Sequence, residues 1–414
     1  MRHLGAVVIL ASLPSLVAAG QTASRQEQDK ERGKAQRVTA ESAAQRVANW
    51  INAVHAHTAG AVDDPLTTVA SWPPEQFGLV LKQVSLAADA ARLLRLGLVL
   101  HTDIALWERD ALAGKPGGSV VLLDGQVTQY LGRSAHWPIA RQIAAKLAQR
   151  PGDGPRVAAW YRATAAIMQE WRDVDLLGKH LEAGQALFLD DPVLALHQGV
   201  LRQIFGDARL EEYLSRRGTT QGFGEAPAAS RLGPAMKIEG SFTIYLPKPS
   251  ASRAGLPNVT RVELVVAARE LRRALGLDPA LHEARIRLAH VLSRLGDYRQ
   301  ATEVVRPALE APLSPFLEFY AAIVLGRSAE QLGEYDEAGA AYARAAACFP
   351  GAESASIGLS RVALAQGRAA DGLKILVEAV GPDATEQSDP WLDYLEYHEP
   401  DGETQLKAWW GNLK

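Results

Sequence analysis

The chain has 414 residues, of which 47% are hydrophobic and 22% are charged, and its formal net charge is −3. This length is enough for two or three domains, or for one long array of repeats. Because no basic block or basic face stands out, the charge pattern argues against a nucleic-acid-binding protein. Frequent alanines and few β-branched runs favour helix along most of the chain.

The N-terminus is typical of an export signal. A short positive start precedes the apolar stretch Leu4–Ala19, which is shorter than the roughly 18–20 residues of a membrane span. The small residues of Val17–Gly20 fit a cleavage site. The sequence therefore predicts a signal peptide over 1–19, a polar linker over 20–37, and a periplasmic or secreted mature chain without a transmembrane segment. A buried N-terminal helix is the alternative.

Helical periodicity dominates residues 38–214, which are predicted to form an N-terminal helical region. Within it, Asp190–Leu210 places Gly199 seven residues before Gly206, and Gly206 is predicted to be a turn. The other periodic segments, of which the last two are predicted to pair antiparallel, are Val38–Ala56, Phe77–His101, His136–Ala148, Val157–Trp171 and Leu176–Leu189.

Two stretches break the helical pattern. Ser119–Tyr130 has an Asp-Gly pair between apolar runs, which predicts a small β-hairpin. Residues 215–260 are rich in Gly, Ala, Pro and Ser and are predicted to be a flexible insertion or linker. Within that insertion only Ser241–Pro247 has strand character.

A repeated pattern follows the insertion. Arg294–Ala301 and Gln331–Ala338 both read x-Leu-Gly-acid-Tyr-x-x-Ala, and Ala365–Gly372 is a weaker third copy. The turn glycines of these copies are 37 and 34 residues apart. Small residues lie seven positions before and five positions after each of them, so that two antiparallel helices can approach closely. The turn glycines are Gly296, Gly333 and Gly367, and the small residues are Ala289, Gly326, Ser360, Ala301, Ala338 and Gly372.

These copies resemble the tetratricopeptide repeat (TPR), a helix–turn–helix unit of about 34 residues. The resemblance is strongest over 262–382, although the third copy has Ala369 in place of the tyrosine and Gly372 in place of the alanine. It implies an all-α fold: a helical-hairpin solenoid, or TPR-like superhelix, with repeats over 261–382 and a degenerate version in the N-terminal region. Residues 383–414 are predicted to be a C-terminal cap, with Trp391 and Tyr394 among its aromatic residues.

The resemblance also implies a binding surface. In this family the first helix of each unit lines a concave face that holds a protein or peptide segment. In each unit an isoleucine lies four residues before a histidine or arginine, which suits a ligand with apolar and acidic groups. The alternative is that the isoleucines pack between repeats and the arginines are solvated. The residues predicted to face the partner are Glu283, Ile286, His290, Arg294, Tyr320, Ile323, Arg327, Glu330, Ile357 and Arg361.

The motifs of catalysis and metal binding are missing from the sequence. No G-x-S-x-G elbow occurs, and His282 and His290 lack the spacing of two zinc-binding histidines on one helix. The single cysteine, Cys348, is interpreted as a packing residue. We therefore expect no catalytic residue, metal or cofactor, and an exported scaffold that binds an unidentified protein partner. The alternatives are an enzyme with its site in the N-terminal half or the insertion, and a structural component of the bacterial cell envelope.

Overall fold

A computed structural model describes residues 74–112, 132–220, 232–238, 242–247, 256–380, 389–397 and 402–413. The predicted signal peptide, the linker, the helix over 38–56 and the hairpin over 119–130 lie outside these residues. The chain divides into two compact units, one of residues 1–147 with Lys414 and one of Ala148–Leu413. None of the helices described is long and apolar enough to cross a membrane.

In the first unit two helices, α1 (Pro74–Leu86) and α2 (Ala90–Leu112), replace the single helix predicted over Phe77–His101. That prediction is wrong because a tight turn separates the helices, in which the amide of Ala87 donates to the carbonyl of Val84 at 3.1 Å. The helical spacing of the buried residues is interrupted at this turn, where the next buried residues after Val84 are Ala90 and Leu93. The next helix among the described residues is α3 (Gly132–Ala148).

The second unit begins with three helices, of which the first two confirm the antiparallel pair predicted over 157–189. The Asp173 carboxylate accepts a hydrogen bond from the Leu176 amide at 3.2 Å and begins the second helix. The third helix runs through Gly206, so the predicted turn there is wrong. These helices are α4 (Gly154–Glu170), α5 (Val174–Leu187) and α6 (Pro192–Thr220).

Two glycines of α6 lie where this helix contacts the next helix of the unit, α7 (Asn258–Leu277). A methyl group added at Gly199 would lie 2.7 Å from the Leu271 side chain, and one at Gly206 would lie 3.5 Å from Leu264. Gly199 therefore lets the two long helices approach closely because it lacks a side chain, whereas Gly206 lies at an ordinary contact distance from α7.

The predicted insertion contains regular structure. Helix α6 continues past Ser215 to Thr220, and α7 begins at Asn258. Between them β1 (Leu232–Ile238) pairs antiparallel with β2 (Phe242–Pro247), with Ile238 opposite Phe242. Strand β2 lies in Ser241–Pro247, where the sequence has strand character.

The repeats form three helical hairpins, as the sequence predicts. Each turn glycine has a left-handed backbone, with φ of 85° at Gly296, 77° at Gly333 and 78° at Gly367. The first helix of each hairpin contacts the first helix of the next, which confirms the TPR-like packing. The helices are α8 (His282–Leu295), α9 (Tyr298–Leu309), α10 (Pro315–Leu332), α11 (Tyr335–Cys348), α12 (Glu353–Ala365) and α13 (Ala369–Val380).

Two short helices near the C-terminus return to the earlier part of the second unit. Helix α14 (Pro390–Leu395) packs on α10, and α15 (Gly402–Leu413) packs on α4. The indole of Trp409 donates to the carbonyl of Arg156 at 3.0 Å. The C-terminal residues that the structure describes thus lie against helices far from them in sequence.

Candidate protein-binding face

The residues predicted to face a partner lie on α8, α10 and α12, the first helices of the three hairpins. Ile286 and Ile323 are buried in the helical core, at 0% and 1% exposure, whereas Ile357 is half-buried. The polar and aromatic members, together with Arg287 and the half-buried Ile357, lie on one surface, which we call the α8–α10–α12 face. Its residues are Glu283, Arg287, His290 and Arg294 of α8, Tyr320, Arg327 and Glu330 of α10, and Ile357 and Arg361 of α12.

The chain's own residues Asp389–Tyr397, which we call the tail segment, cover part of this face. Tyr394 packs against Tyr320 with ring centroids 4.4 Å apart, and against His290 at 5.6 Å. Trp391 stacks on Tyr394 at 5.1 Å and meets His290 edge-on at 5.4 Å. The tail segment thus places two aromatic rings against the first helices of two successive hairpins.

Cations of the face lie over these rings. The guanidinium carbon of Arg287 is 4.5 Å from the centroid of Tyr394 and 5.6 Å from that of Tyr397. Arg287 is 1% exposed, and its Nε donates to the Glu283 carboxylate at 3.0 Å. A buried charge is tolerated when it is paired and hydrogen-bonded, as the carboxylate and the aromatic rings allow here.

Polar contacts fix both ends of the tail segment. At its start the Asp389 carboxylate accepts hydrogen bonds from the amide of Ser354 at 2.7 Å and from the Ser354 hydroxyl at 3.0 Å. At its end the Tyr397 hydroxyl donates to Asp207, which also pairs with Arg294. The Tyr397 carbonyl accepts from Gln169 Nε2 at 3.0 Å. The segment therefore has a defined register along the face.

The part of the face nearest α12 has a second network. Glu330 accepts hydrogen bonds from the Tyr342 hydroxyl and from Arg361 Nε, each at 2.9 Å. Arg327 is exposed, lies 5.4 Å from the Trp391 ring centroid, and forms no ion pair with any side chain of the described residues. It is the face residue best placed to meet an acidic group from outside.

The electrostatics of the face favour a neutral histidine. Burial lowers the pKa of His290 well below 6.5, and the charges of Arg294, Arg327 and Arg287 lower it further. Burial, with the nearby carboxylate of Asp393, raises the pKa of Tyr320. At neutral pH both rings are therefore uncharged aromatic partners for the tail segment.

Sequence reasoning missed the residues that hold the tail segment. Arg287, Asp207 and Gln169 were not among the predicted site residues, and the tail was predicted only as a cap. One signal is visible in the sequence: Trp391, Tyr394 and Tyr397 recur every three residues, which places them on one helical face. The sequence does not show which surface that face meets.

The cysteine and the tryptophans outside this face have packing roles. Cys348 is half-buried, and burial raises the pKa of its thiol, so it stays protonated at neutral pH. Trp137 and Trp160 are 2% and 0% exposed and belong to the core. The described ranges hold no group of three His, Cys, Asp or Glu residues that could bind a metal ion.

No protein-family model matches the chain, and no curated protein is similar to it in sequence. Several solved structures resemble it at low identity. One is MamA 41-end from Desulfovibrio magneticus RS-1, at 13% identity and a TM-score of 0.37, covering 56% of this chain and 97% of that one. Another is MamA AMB-1, at 15% identity and a TM-score of 0.34, covering 53% and 95%.

A third resemblance is to the APC/C hetero-tetramer Cut9-Hcn1, at 12% identity and a TM-score of 0.36. That alignment covers 81% of this chain and 52% of the other. Likeness at this level does not indicate what the chain binds.

Proposed function

We propose that this chain is an exported, non-catalytic scaffold that binds a protein partner through the α8–α10–α12 face. The partner contributes a short segment with aromatic and acidic side chains. A face of packed helices is rigid, so it binds such a segment at a low cost in conformational entropy.

The observation that supports this proposal is the fit of the tail segment. The face buries Trp391, Tyr394 and Tyr397 to 4%, 1% and 3% exposure and holds both ends of a nine-residue stretch by hydrogen bonds. Aromatic anchors seated among arginines are the commonest strong contacts of protein interfaces. A surface that accepts one such segment has the chemistry to accept another.

Export is the second part of the proposal and rests on the sequence of residues 1–19. A secreted or periplasmic scaffold would meet partners in the cell envelope. The test is fractionation of the native bacterium with N-terminal sequencing of the mature chain. A chain that stays in the cytoplasm with Met1 intact would refute this part alone.

Photo-crosslinking tests the binding face. A photoreactive phenylalanine at Ile357, a half-buried position on the face, should cross-link to the partner in intact cells. Reversing the exposed charge in Arg327→Glu should reduce the yield at least about fivefold, because an interfacial charge of the wrong sign opposes association. The measurement is the amount of cross-linked product on a gel.

The matched control is Arg299→Glu, the same charge reversal at an exposed position of α9, away from the face. It should leave the cross-linking yield unchanged. Equal yields from wild type and both variants, with unchanged circular dichroism, would show that the partner binds elsewhere.

A further inference from the structure

We infer that the tail segment is an internal ligand that a partner displaces, and that the partner's segment repeats its pattern. That pattern is an acidic residue followed by aromatic residues at positions two, five and eight further on, in a short helix. This inference rests on the proposed function and adds the chemistry of the partner and the means by which the site is kept closed.

One side of the tail segment makes the contacts with the face. Trp391, Tyr394 and Tyr397 are buried, while Leu392 and Leu395 on the other side are 60% and 39% exposed. A segment that served only as core would bury its leucines before its tyrosines, since leucine has no polar atom to satisfy. Recognition of aromatic rings by cations explains why the aromatic side chains are buried here and the leucines are exposed.

The face selects aromatic side chains at each of the three positions. Trp391 lies under Arg327, Tyr394 lies under Arg287, and Tyr397 lies beside Arg287 with its hydroxyl on Asp207. An aliphatic residue would lose the attraction between ring and cation, and a phenylalanine at the third position would lose the hydrogen bond. The acidic residue at the start is selected by the amide and hydroxyl of Ser354.

The fit of the tail segment is incomplete. The Tyr394 hydroxyl is buried and has no hydrogen-bond partner among the described residues, and the same holds for Nδ1 of His290. A buried polar atom without a partner costs stability. A segment that supplied a partner to either atom would bind this face more strongly than the tail does.

The tail segment is also weakly held by its own structure. Helix α14 spans only Pro390–Leu395, and so short a helix is not stable without contacts. The last residue of the tail segment, Tyr397, has a φ of 66°, a left-handed backbone that tyrosine rarely adopts. In competition with a partner, the main advantage of the tail segment is its covalent link to the face, which gives it an effective concentration on the order of millimolar.

Peptide binding to the full-length chain tests the inference. The probe is a fluorescein-labelled peptide of residues 387–399, followed by fluorescence anisotropy. We expect Trp391→Ala/Tyr394→Ala, which releases the tail segment, to bind this peptide at least tenfold more tightly than the wild type does. A peptide carrying the same two alanines should not bind.

The matched control is Leu392→Ala/Leu395→Ala, which changes two exposed side chains of the same short helix. It should bind the peptide as weakly as the wild type. Equal affinity of the wild type, the released variant and the control, with unchanged circular dichroism, would overturn the inference.

A milder variant keeps the test decisive if the released variant does not fold. Asp389→Ala removes the hydrogen bonds to Ser354 and the bond from the Trp391 amide that begins α14, and it should raise peptide affinity about threefold. No increase in a folded protein would overturn the inference. A wild-type dimer that dissociates on dilution and is absent in the released variant would assign the face to a second copy's tail, and would also overturn it.

The peptide assay requires no natural partner, so its failure is distinguishable from that of the proposed function. If the peptide binds the released variant but Arg327→Glu leaves cross-linking in cells unchanged, the internal ligand is established and the proposed partner site is wrong. If cross-linking falls but the peptide never binds, the face binds a partner of different chemistry.

Discussion

Tyr342 is the residue on which two hairpins converge. A methyl group added at Gly326 of α10 would lie 2.8 Å from its ring, and one at Gly358 of α12 would lie 2.5 Å from it. Its hydroxyl donates to Glu330, which also accepts from Arg361. The tyrosine therefore occupies space left by two glycines and is joined through Glu330 to the binding face.

This packing predicts that Gly358→Ala destabilises the second unit. The added methyl group must displace the Tyr342 ring, and overpacking of this kind costs about 1–3 kcal/mol. The free energy of unfolding, measured by urea titration with circular dichroism, should fall by that amount.

The control for Gly358→Ala is Gly276→Ala, a helical glycine of α7 with nothing within 4 Å of the added methyl group. Alanine there should be neutral or should stabilise the helix by about 0.5–1 kcal/mol. Similar effects of both substitutions would mean that helix propensity, and not contact with Tyr342, decides the result.

At the scale of helices, the sequence predicts a turn correctly only where the neighbouring residues alone determine whether the helix ends. Gly206-Asp207 and Gly296-Asp297 look alike in sequence, yet α6 continues through the first and α8 ends at the second. The difference lies in α7, which packs Leu264 against Gly206. A partner helix more than fifty residues away is not visible in a local pattern.

The same limit applies to the binding face. The register of the repeats was enough to place His290, Tyr320 and Arg327 on one surface, because each hairpin repeats the last. The tail segment was not predictable as their partner, since Gln169 and Tyr397 are 228 residues apart in sequence. Its aromatic spacing predicts a buried side but not the helices that bury it.

Docking of α14 should depend on pH through His290. Because its pKa in the docked state is lowered from 6.5, this state favours the neutral imidazole, and the undocked state takes up a proton first. Docking is therefore strongest at neutral pH and weakens as the pH falls below the pKa of His290 in the undocked state, by at most about 1.4 kcal/mol per pH unit, until the docked pKa is reached.

Hydrogen exchange of the tail segment at pH 7.5 and pH 5.5, corrected for intrinsic rates, measures this effect. Protection of residues 389–397 should fall at the lower pH in the wild type. The control His290→Gln removes the titrating group and should show a smaller fall. The same fall in both proteins would assign the pH dependence to other groups.

At the largest scale, the C-terminal residues change how the second unit is held together. In a solenoid each repeat contacts only its neighbours, so that distant repeats can unfold separately. Here Asp389 contacts Ser354 of α12, His290 of α8 meets Trp391, and Gln169 of α4 contacts Tyr397. These contacts connect helices near the two ends of the unit directly.

Such a bridge predicts that α4 and α12 unfold together in the wild type and separately once the tail segment is released. In Trp391→Ala/Tyr394→Ala the loss of two buried aromatic side chains, each worth about 3–5 kcal/mol in a packed core, removes the bridge. Hydrogen exchange at increasing urea concentration gives a midpoint for each helix. The two midpoints should coincide in the wild type and in the control Leu392→Ala/Leu395→Ala, and they should diverge in the released variant. If they already differ in the wild type, or still coincide in the released variant, the repeats are coupled through their shared interfaces and the tail segment is only a ligand of the face.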